Sequence, residues 1–122
     1  MLQIVFNKIS AAELSQLDTL AQLELLNEFR IDEEALETLE TKPRFGTIER
    51  GGRRLYRYRA RDYRLYFDVQ HGQVVVHRLL HKNTLDDFRF RSSLPISEDE
   101  ALAKSKTFWK LIEEGEKAGR SP

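Results

Sequence analysis

The sequence predicts an α+β domain in which helices pack on an antiparallel β-sheet. Residues 53–83 alternate between apolar and polar side chains as successive strands do, and helical spacing of apolar residues occurs both before and after them. The expected order is a strand, two helices, a three-stranded meander, a short helix and a long helix. A chain of 122 residues suits one domain with one core.

The N-terminal third predicts one strand and two helices. Leu2–Phe6 is a short apolar run and a candidate strand. Ser10 and Glu13 have the spacing of a capping box, which predicts a helix over Ala11–Phe29, with an interruption near Asp18-Thr19.

A second, shorter helix follows before the sheet begins. Asp32 is the expected cap of a helix over Glu33–Glu40, and Pro43 ends it because proline disfavours helical geometry in the residue before it. Phe45–Glu49 is a candidate minor strand.

The meander is predicted as Arg53–Arg59, Tyr63–Val69 and Gln73–His81, with Gly72 in the second hairpin loop. Alternation in the middle strand directs Leu65 and Phe67 into the core and leaves Arg64 on the opposite face, outside, together with Arg57 of the first strand. His77 and His81 are expected to share one face. The side chains predicted to converge on one side of the sheet are Arg57, Arg59, Arg64, His81 and Lys82.

The C-terminal part predicts further helix. Thr84–Phe90 is expected as a short helix or turn, and Leu94-Pro95 as a break. Ser97 and Glu100 repeat the capping-box spacing before an amphipathic helix over Glu98–Lys117.

Net charge is zero, but the charge is unevenly distributed. Residues 10–43 carry nine acids against two bases, and residues 44–82 carry ten bases against three acids. Two interpretations follow: the basic sheet binds an anionic partner, or the acidic helices neutralise it within the molecule.

Composition also narrows the function classes. There is no cysteine, which excludes disulfides and thiol catalysis and fits a cytoplasmic location. No apolar run is long enough to span a membrane, the N-terminus does not have the pattern of a signal peptide, and no spacing suggests a metal site or cofactor.

The basic residues suggest phosphodiester chemistry. Metal-free RNA cleavage needs a proton acceptor, a proton donor and a cation for the developing negative charge. His81 or Lys82 can serve as the acid or base, and Arg64 can stabilise the charge. The alternatives are that the strand arginines are solvent-facing charges and that His77 is a hydrogen-bonded core histidine.

The meander resembles the RelE/ParE superfamily of bacterial toxin–antitoxin toxins. The resemblance covers about residues 1–90 and rests on four segments: Tyr56-Arg57-Tyr58-Arg59, Asp62-Tyr63-Arg64-Leu65-Tyr66, Gly72-Gln73-Val74-Val75-Val76 and His81-Lys82. It implies a RelE/ParE-like fold with two N-terminal helices on one face of the sheet. It also implies a toxin domain at residues 1–92, extended by a C-terminal helix in residues 93–122 that packs on it.

The resemblance further implies an activity and partners. RelE-like members cut mRNA on the ribosome without a metal or cofactor, and their toxicity is neutralised by an antitoxin. By position, Arg57, Arg64, His81 and Lys82 are the expected catalytic residues of such an endoribonuclease. The surrounding residues expected to bind RNA phosphates are Arg54, Arg59, Arg78 and Asn83.

Two alternatives stay open because the sequence departs from the RNase pattern. Leu55 stands where the best-known RNases carry a second strand lysine, and Phe88 and Phe90 stand where a catalytic tyrosine is expected after Lys82. The chain is also neutral, and its acidic N-terminal helices or its C-terminal helix can cover the basic face. One alternative is a non-catalytic ParE-like toxin that binds gyrase, and the other is a divergent, non-toxic family member.

Overall fold

The structure is a computed structural model that describes residues 2–84 and 97–121. Its strands are β1 (Gln3–Phe6), β2 (Phe45–Arg50), β3 (Arg53–Ala60), β4 (Tyr63–Gln70) and β5 (Gln73–His81). Its helices are α1 (Lys8–Ser15), α2 (Thr19–Glu28), a 3-10 helix (Glu33–Thr41), α3 (Glu98–Lys104) and α4 (Lys106–Lys117).

The strands form one sheet in the order β1-β5-β4-β3-β2. The strand β1 runs parallel to β5, and the other neighbours are antiparallel. The predicted α+β class and all the predicted strands are therefore confirmed. Because β1 and β2 lie at opposite edges of this order, the chain crosses the sheet between them, and α1, α2 and the 3-10 helix form that crossover.

The N-terminal helices begin and end at polar caps. The side chain of Asn7 accepts a hydrogen bond from Ser10 N–H, and the Ser10 hydroxyl accepts one from Asn7 N–H. The capping box is thus built on Asn7, so the first helix starts three residues earlier than predicted. The predicted interruption is confirmed, because Asp18 caps α2 by accepting from Ala21 N–H.

Helices cover both faces of the sheet. The first face packs against α1, α2 and the 3-10 helix, with Phe29, Leu65 and Phe67 fully buried. Leu65 and Phe67 are thus inside, as predicted. The second face packs against α3 and α4, and its core consists of Ile48, Leu55, Tyr66, Leu80, Leu102, Phe108, Trp109 and Ile112.

A β-bulge in β5 changes the alternation of faces. Tyr66 pairs with Arg78 and Phe67 pairs with Val76, so His77 is the extra residue. Beyond the bulge, each side chain of β5 lies on the face opposite to the one that strict alternation assigns. The prediction that His77 and His81 share a face is therefore wrong.

The C-terminal helices are seated closely on the sheet. The predicted long helix is broken at Ser105, whose hydroxyl accepts from Phe108 N–H and so caps α4, while Ser97 caps α3 as predicted. Gly115 allows α4 to approach β5, because a methyl group there would overlap the backbone carbonyl of His77. The Asn7 amide donates to the carbonyls of both residues.

Two predictions fall on residues that the structure does not describe. The predicted short helix lies outside the described residues except at Thr84, and so does the break at Leu94-Pro95. Among the described helices, none has the length and apolar character needed to cross a bilayer.

Phe108→Ala tests the packing of α4 on the second face. Phe108 is fully buried against Tyr66, with ring centroids 4.9 Å apart. The substitution is expected to lower the free energy of unfolding by about 3–5 kcal/mol in urea denaturation. The exposed Lys110→Ala in the same helix is the control and is expected to change it by less than about 0.5 kcal/mol. A loss below about 1 kcal/mol for Phe108→Ala would contradict this packing.

Candidate functional site

The candidate site lies on the second face, where two predicted catalytic arginines meet α3. Arg57 of β3 is paired in register with Tyr66 of β4, and Arg64 lies two residues before Tyr66 on the same face. Arg57 is 8% exposed and Arg64 is 7% exposed. The prediction that these arginines lie outside is wrong, because the helix covers them.

Arg57 forms a two-pronged ion pair with the first turn of α3. Its Nη2 and Nε atoms lie 2.8 Å and 3.2 Å from the two carboxylate oxygens of Asp99. Its Nη1 donates to the carbonyl of Arg44 at 2.7 Å. Gly46, opposite Arg57 on β2, provides the space, because a methyl group there would overlap the guanidinium.

Arg64 is held in the same way by the neighbouring acid. Its Nε donates to Glu98 Oε1 at 3.0 Å, and both side chains are 9% exposed. Its Nη1 donates to the carbonyls of Arg61 and Tyr63 at 2.7 and 3.0 Å. Each guanidinium therefore has a carboxylate and at least one backbone carbonyl, which is the condition for burying a charge without a large penalty.

Tyr66 lies between the two ion pairs. Its side chain is fully buried, and its hydroxyl has no hydrogen-bond partner among the described residues. Burial raises the pKa of its phenol well above the usual value of about 10, and the negative charges of Glu98 and Asp99 raise it further, while Arg64 and Arg57 oppose the shift.

His81 and Lys82 do not join this cluster. The His81 ring packs edge-on against Tyr63 on the first face, with centroids 5.0 Å apart, and its Nδ1 accepts from Asn83 N–H. Lys82 pairs with Asp62 at 3.1 Å in a half-exposed position. The predicted convergence of His81 with the arginines is therefore wrong, and the bulge in β5 is the reason.

The other predicted phosphate-binding residues are scattered. Arg78 is largely buried and forms a two-pronged ion pair with Glu13 of α1. Arg54 pairs with Glu40 at 2.7 Å on the surface. Arg59 and Asn83 are exposed.

His77 is a buried core histidine. Its Nε2 lies 2.9 Å from Asp68 Oδ2, which agrees with the hydrogen-bonded alternative.

Internal pairing accounts for much of the uneven charge. Among the described residues, acids of the N-terminal helical region form four ion pairs with the basic segment 44–82: Glu13–Arg78, Glu24–Arg61, Glu28–Arg44 and Glu40–Arg54. Acids of the C-terminal helices add four more among the described residues: Glu98–Arg64, Asp99–Arg57, Glu114–Arg78 and Glu116–Arg53. The structure thus agrees with neutralisation within the molecule.

Sequence reasoning missed Glu98, Asp99 and Tyr66. The two acids sit in the first turn of a helix, where acids are common because they suit the helix dipole, so nothing local marks them as partners of the sheet. The available signal was the neutral total charge of a chain with a strongly basic sheet.

This fold and the sequence together define a class of protein. An open, mostly antiparallel sheet with a helical crossover after β1 is consistent with the toxins of the RelE/ParE superfamily. The family model of the ParE toxin of the type II toxin–antitoxin system, parDE, matches residues 14–85, more than half of the chain. The chain therefore belongs to the ParE toxin family, which confirms the resemblance.

Family membership implies a toxin with a cognate antitoxin partner. It does not distinguish ribosome-dependent cleavage from gyrase inhibition. No curated protein and no solved structure gives a significant match to the chain.

The Arg64–Glu98 pair yields a stability prediction. Glu98→Leu leaves the Arg64 charge buried and unpaired, so the free energy of unfolding is expected to fall by about 3–5 kcal/mol. Adding Arg64→Met removes that charge and is expected to restore most of the loss. Urea denaturation of the single and double variants measures both effects.

The exposed Arg54–Glu40 pair is the matched control. Glu40→Ala is expected to cost less than about 1 kcal/mol, because water screens that pair. Equal losses for Glu98→Leu and Glu40→Ala would show that the Arg64–Glu98 pair is not buried.

Tyr66 yields a prediction for alkaline pH. Its pKa is higher in the folded than in the unfolded chain, so its contribution to stability is complete below about pH 10 and is lost as the pH rises towards the folded value. Above pH 10 the parent protein is expected to lose up to about 1.4 kcal/mol per pH unit more than Tyr66→Phe. Urea unfolding of both proteins at pH 8 and pH 11 measures this, and an identical decline would contradict it.

Proposed function

We propose that this protein is a ParE-type toxin that acts by binding a protein target, DNA gyrase in the ParE-like members, and not by cleaving mRNA. The observation that carries the proposal is the state of Arg57 and Arg64. Both guanidiniums are buried and paired with Asp99 and Glu98, and His81 lies on the opposite face. The groups that RNA cleavage would use are thus separated.

Leu55 also supports a toxin that does not cleave mRNA. It stands where the best-known RNase members carry a strand lysine, and here it is fully buried in the core of the second face. An aliphatic side chain suits packing against α3 and α4, whereas a lysine at a fully buried position would need a partner for its charge. The departure from the RNase pattern therefore coincides with the closing of this face.

A leucine stripe on α2 offers a surface for protein contact. Leu20, Leu23 and Leu26 are 66%, 61% and 40% exposed, and they are the large apolar side chains that the described residues leave exposed. Their spacing of three residues places them along one side of the helix. Clustered exposed leucines are characteristic of surfaces that bind another protein.

Ribosome-dependent mRNA cleavage is the second candidate. The arrangement of Arg57, Tyr66 and Arg64 on one face favours it, because two guanidiniums and a phenol can bind and protonate a phosphodiester. This candidate, with the ribosome and mRNA as partners, requires α3 to leave the second face. The third candidate is a non-toxic family member, and its expression would have no effect on growth.

Induced expression in bacteria separates these functions. We expect growth arrest with a DNA-damage response and intact mRNA ends on ribosomes. The double variant His81→Ala/Lys82→Ala is expected to arrest growth as the parent does, because the proposed mechanism uses no acid or base. Loss of arrest in this variant, or ribosomal mRNA cuts in the parent, would favour the second candidate.

The leucine stripe provides the complementary variant. Leu20→Ser/Leu23→Ser is expected to fold normally, since both side chains are mostly exposed, and to abolish arrest by removing the contact with the target. Thr19→Ser/Asn27→Ser, at two exposed polar residues of the same helix, is the control and is expected to stay toxic. A toxic stripe variant that escapes the antitoxin would assign the stripe to the antitoxin instead.

A further inference from the structure

The covered part of the second face has the composition of an oxyanion-binding surface. Arg57, Tyr66 and Arg64 lie side by side on adjacent strands and together present two guanidiniums and one phenol. Guanidinium groups bind carboxylates and phosphates in two-pronged geometry. Here the anions are supplied by the same chain, through two consecutive residues of α3, Glu98 and Asp99.

The two carboxylates leave one polar group of this surface without a hydrogen bond. The Tyr66 hydroxyl is fully buried between the ion pairs and has no partner among the described residues. A buried hydroxyl without a hydrogen bond is unusual, because its desolvation is not offset. A ligand that places an oxygen between the two arginines, such as a phosphate group held by both of them, would give this hydroxyl a partner.

The two C-terminal helices are anchored to different extents. The seven residues of α3 place Ala101 and Leu102 in a buried position, whereas α4 buries the larger side chains Phe108, Trp109 and Ile112. The break at Ser105 separates the two helices. The apolar packing therefore holds α4 more firmly, and the ion pairs carry a larger share of the attachment of α3.

We propose that α3 is a built-in inhibitory segment whose Glu98 and Asp99 carboxylates occupy an oxyanion-binding surface of Arg57, Tyr66 and Arg64. The surface binds a phosphate-bearing chain only when α3 is displaced. In the closed form the toxin presents no such surface in its described part and therefore does not compete for cellular RNA. This inference holds whichever macromolecule the toxin attacks, because it concerns access to the second face.

The test compares two full-length variants with equal charge. Glu98→Gln/Asp99→Asn removes the carboxylates that face the arginines, and Glu100→Gln/Glu113→Gln removes two exposed carboxylates from the same helices. The probe is a fluorescent single-stranded RNA of ten nucleotides, measured by anisotropy at fixed salt. We expect the first variant to bind the RNA about tenfold more tightly than the second, because internal carboxylates no longer compete with the RNA phosphates for the arginines.

Two further measurements make each outcome decisive. Amide hydrogen exchange in α3 is expected to be faster in Glu98→Gln/Asp99→Asn than in the control. Adding Arg57→Ala/Arg64→Ala to that variant is expected to remove the gain in RNA affinity. Asp99→Asn alone, at the more exposed pair, is measured in parallel because it perturbs folding less.

The proposal fails in either of two ways. Unchanged exchange would show that the carboxylates do not hold α3 on the sheet. Faster exchange with equal RNA binding by the two variants would show that α3 covers no anion-binding surface. Neither result depends on growth arrest, so a failure here is distinguishable from a failure of the proposed toxin function.

Discussion

The position of the C-terminal helices on the second face depends on two buried guanidinium groups. A charge can lie in a protein interior only where an opposite charge and hydrogen-bond acceptors meet it. Arg57 and Arg64 are fixed by the strands that carry them, so α3 must present Asp99 and Glu98 at matching positions. This requirement fixes the position of α3 along the sheet, and Ser105 then starts α4 where its apolar side can close the second core.

The same pairing explains how a strongly basic sheet belongs to a neutral protein. Toxins that bind ribosomes through excess positive charge gain affinity from contacts with many phosphates. Here the acids of both helical layers reach the sheet, from Glu13 near one end of the chain to Glu116 near the other. Most of these arginines therefore form their ion pairs within the fold, and the large apolar side chains exposed on the described surface are the leucine stripe of α2.

The sequence allowed the fold to be predicted more fully than the site. Strict alternation in β4 identified Leu65 and Phe67 as core, and the polar residues Asp18 and Ser97 marked helix starts, because these signals are local. The burial of Arg57 and Arg64 depends on residues more than thirty positions away, which no local pattern records. Likewise, a prediction from alternation assumes that every residue of a strand has a partner on the next strand. It therefore cannot locate a residue without one, such as His77.

That unpaired residue has an evolutionary consequence. Because the bulge absorbs one residue of β5, the side chains after His77 keep the pairing with β4 that a strand one residue shorter would have. A deletion of His77 would place Arg78 directly after Val76, so Leu80 would still pair with Arg64 and His81 with Tyr63, on the faces they occupy now. The sheet therefore tolerates one inserted residue in β5 without exchanging its two cores, and His81 stays apart from the two arginines with or without His77.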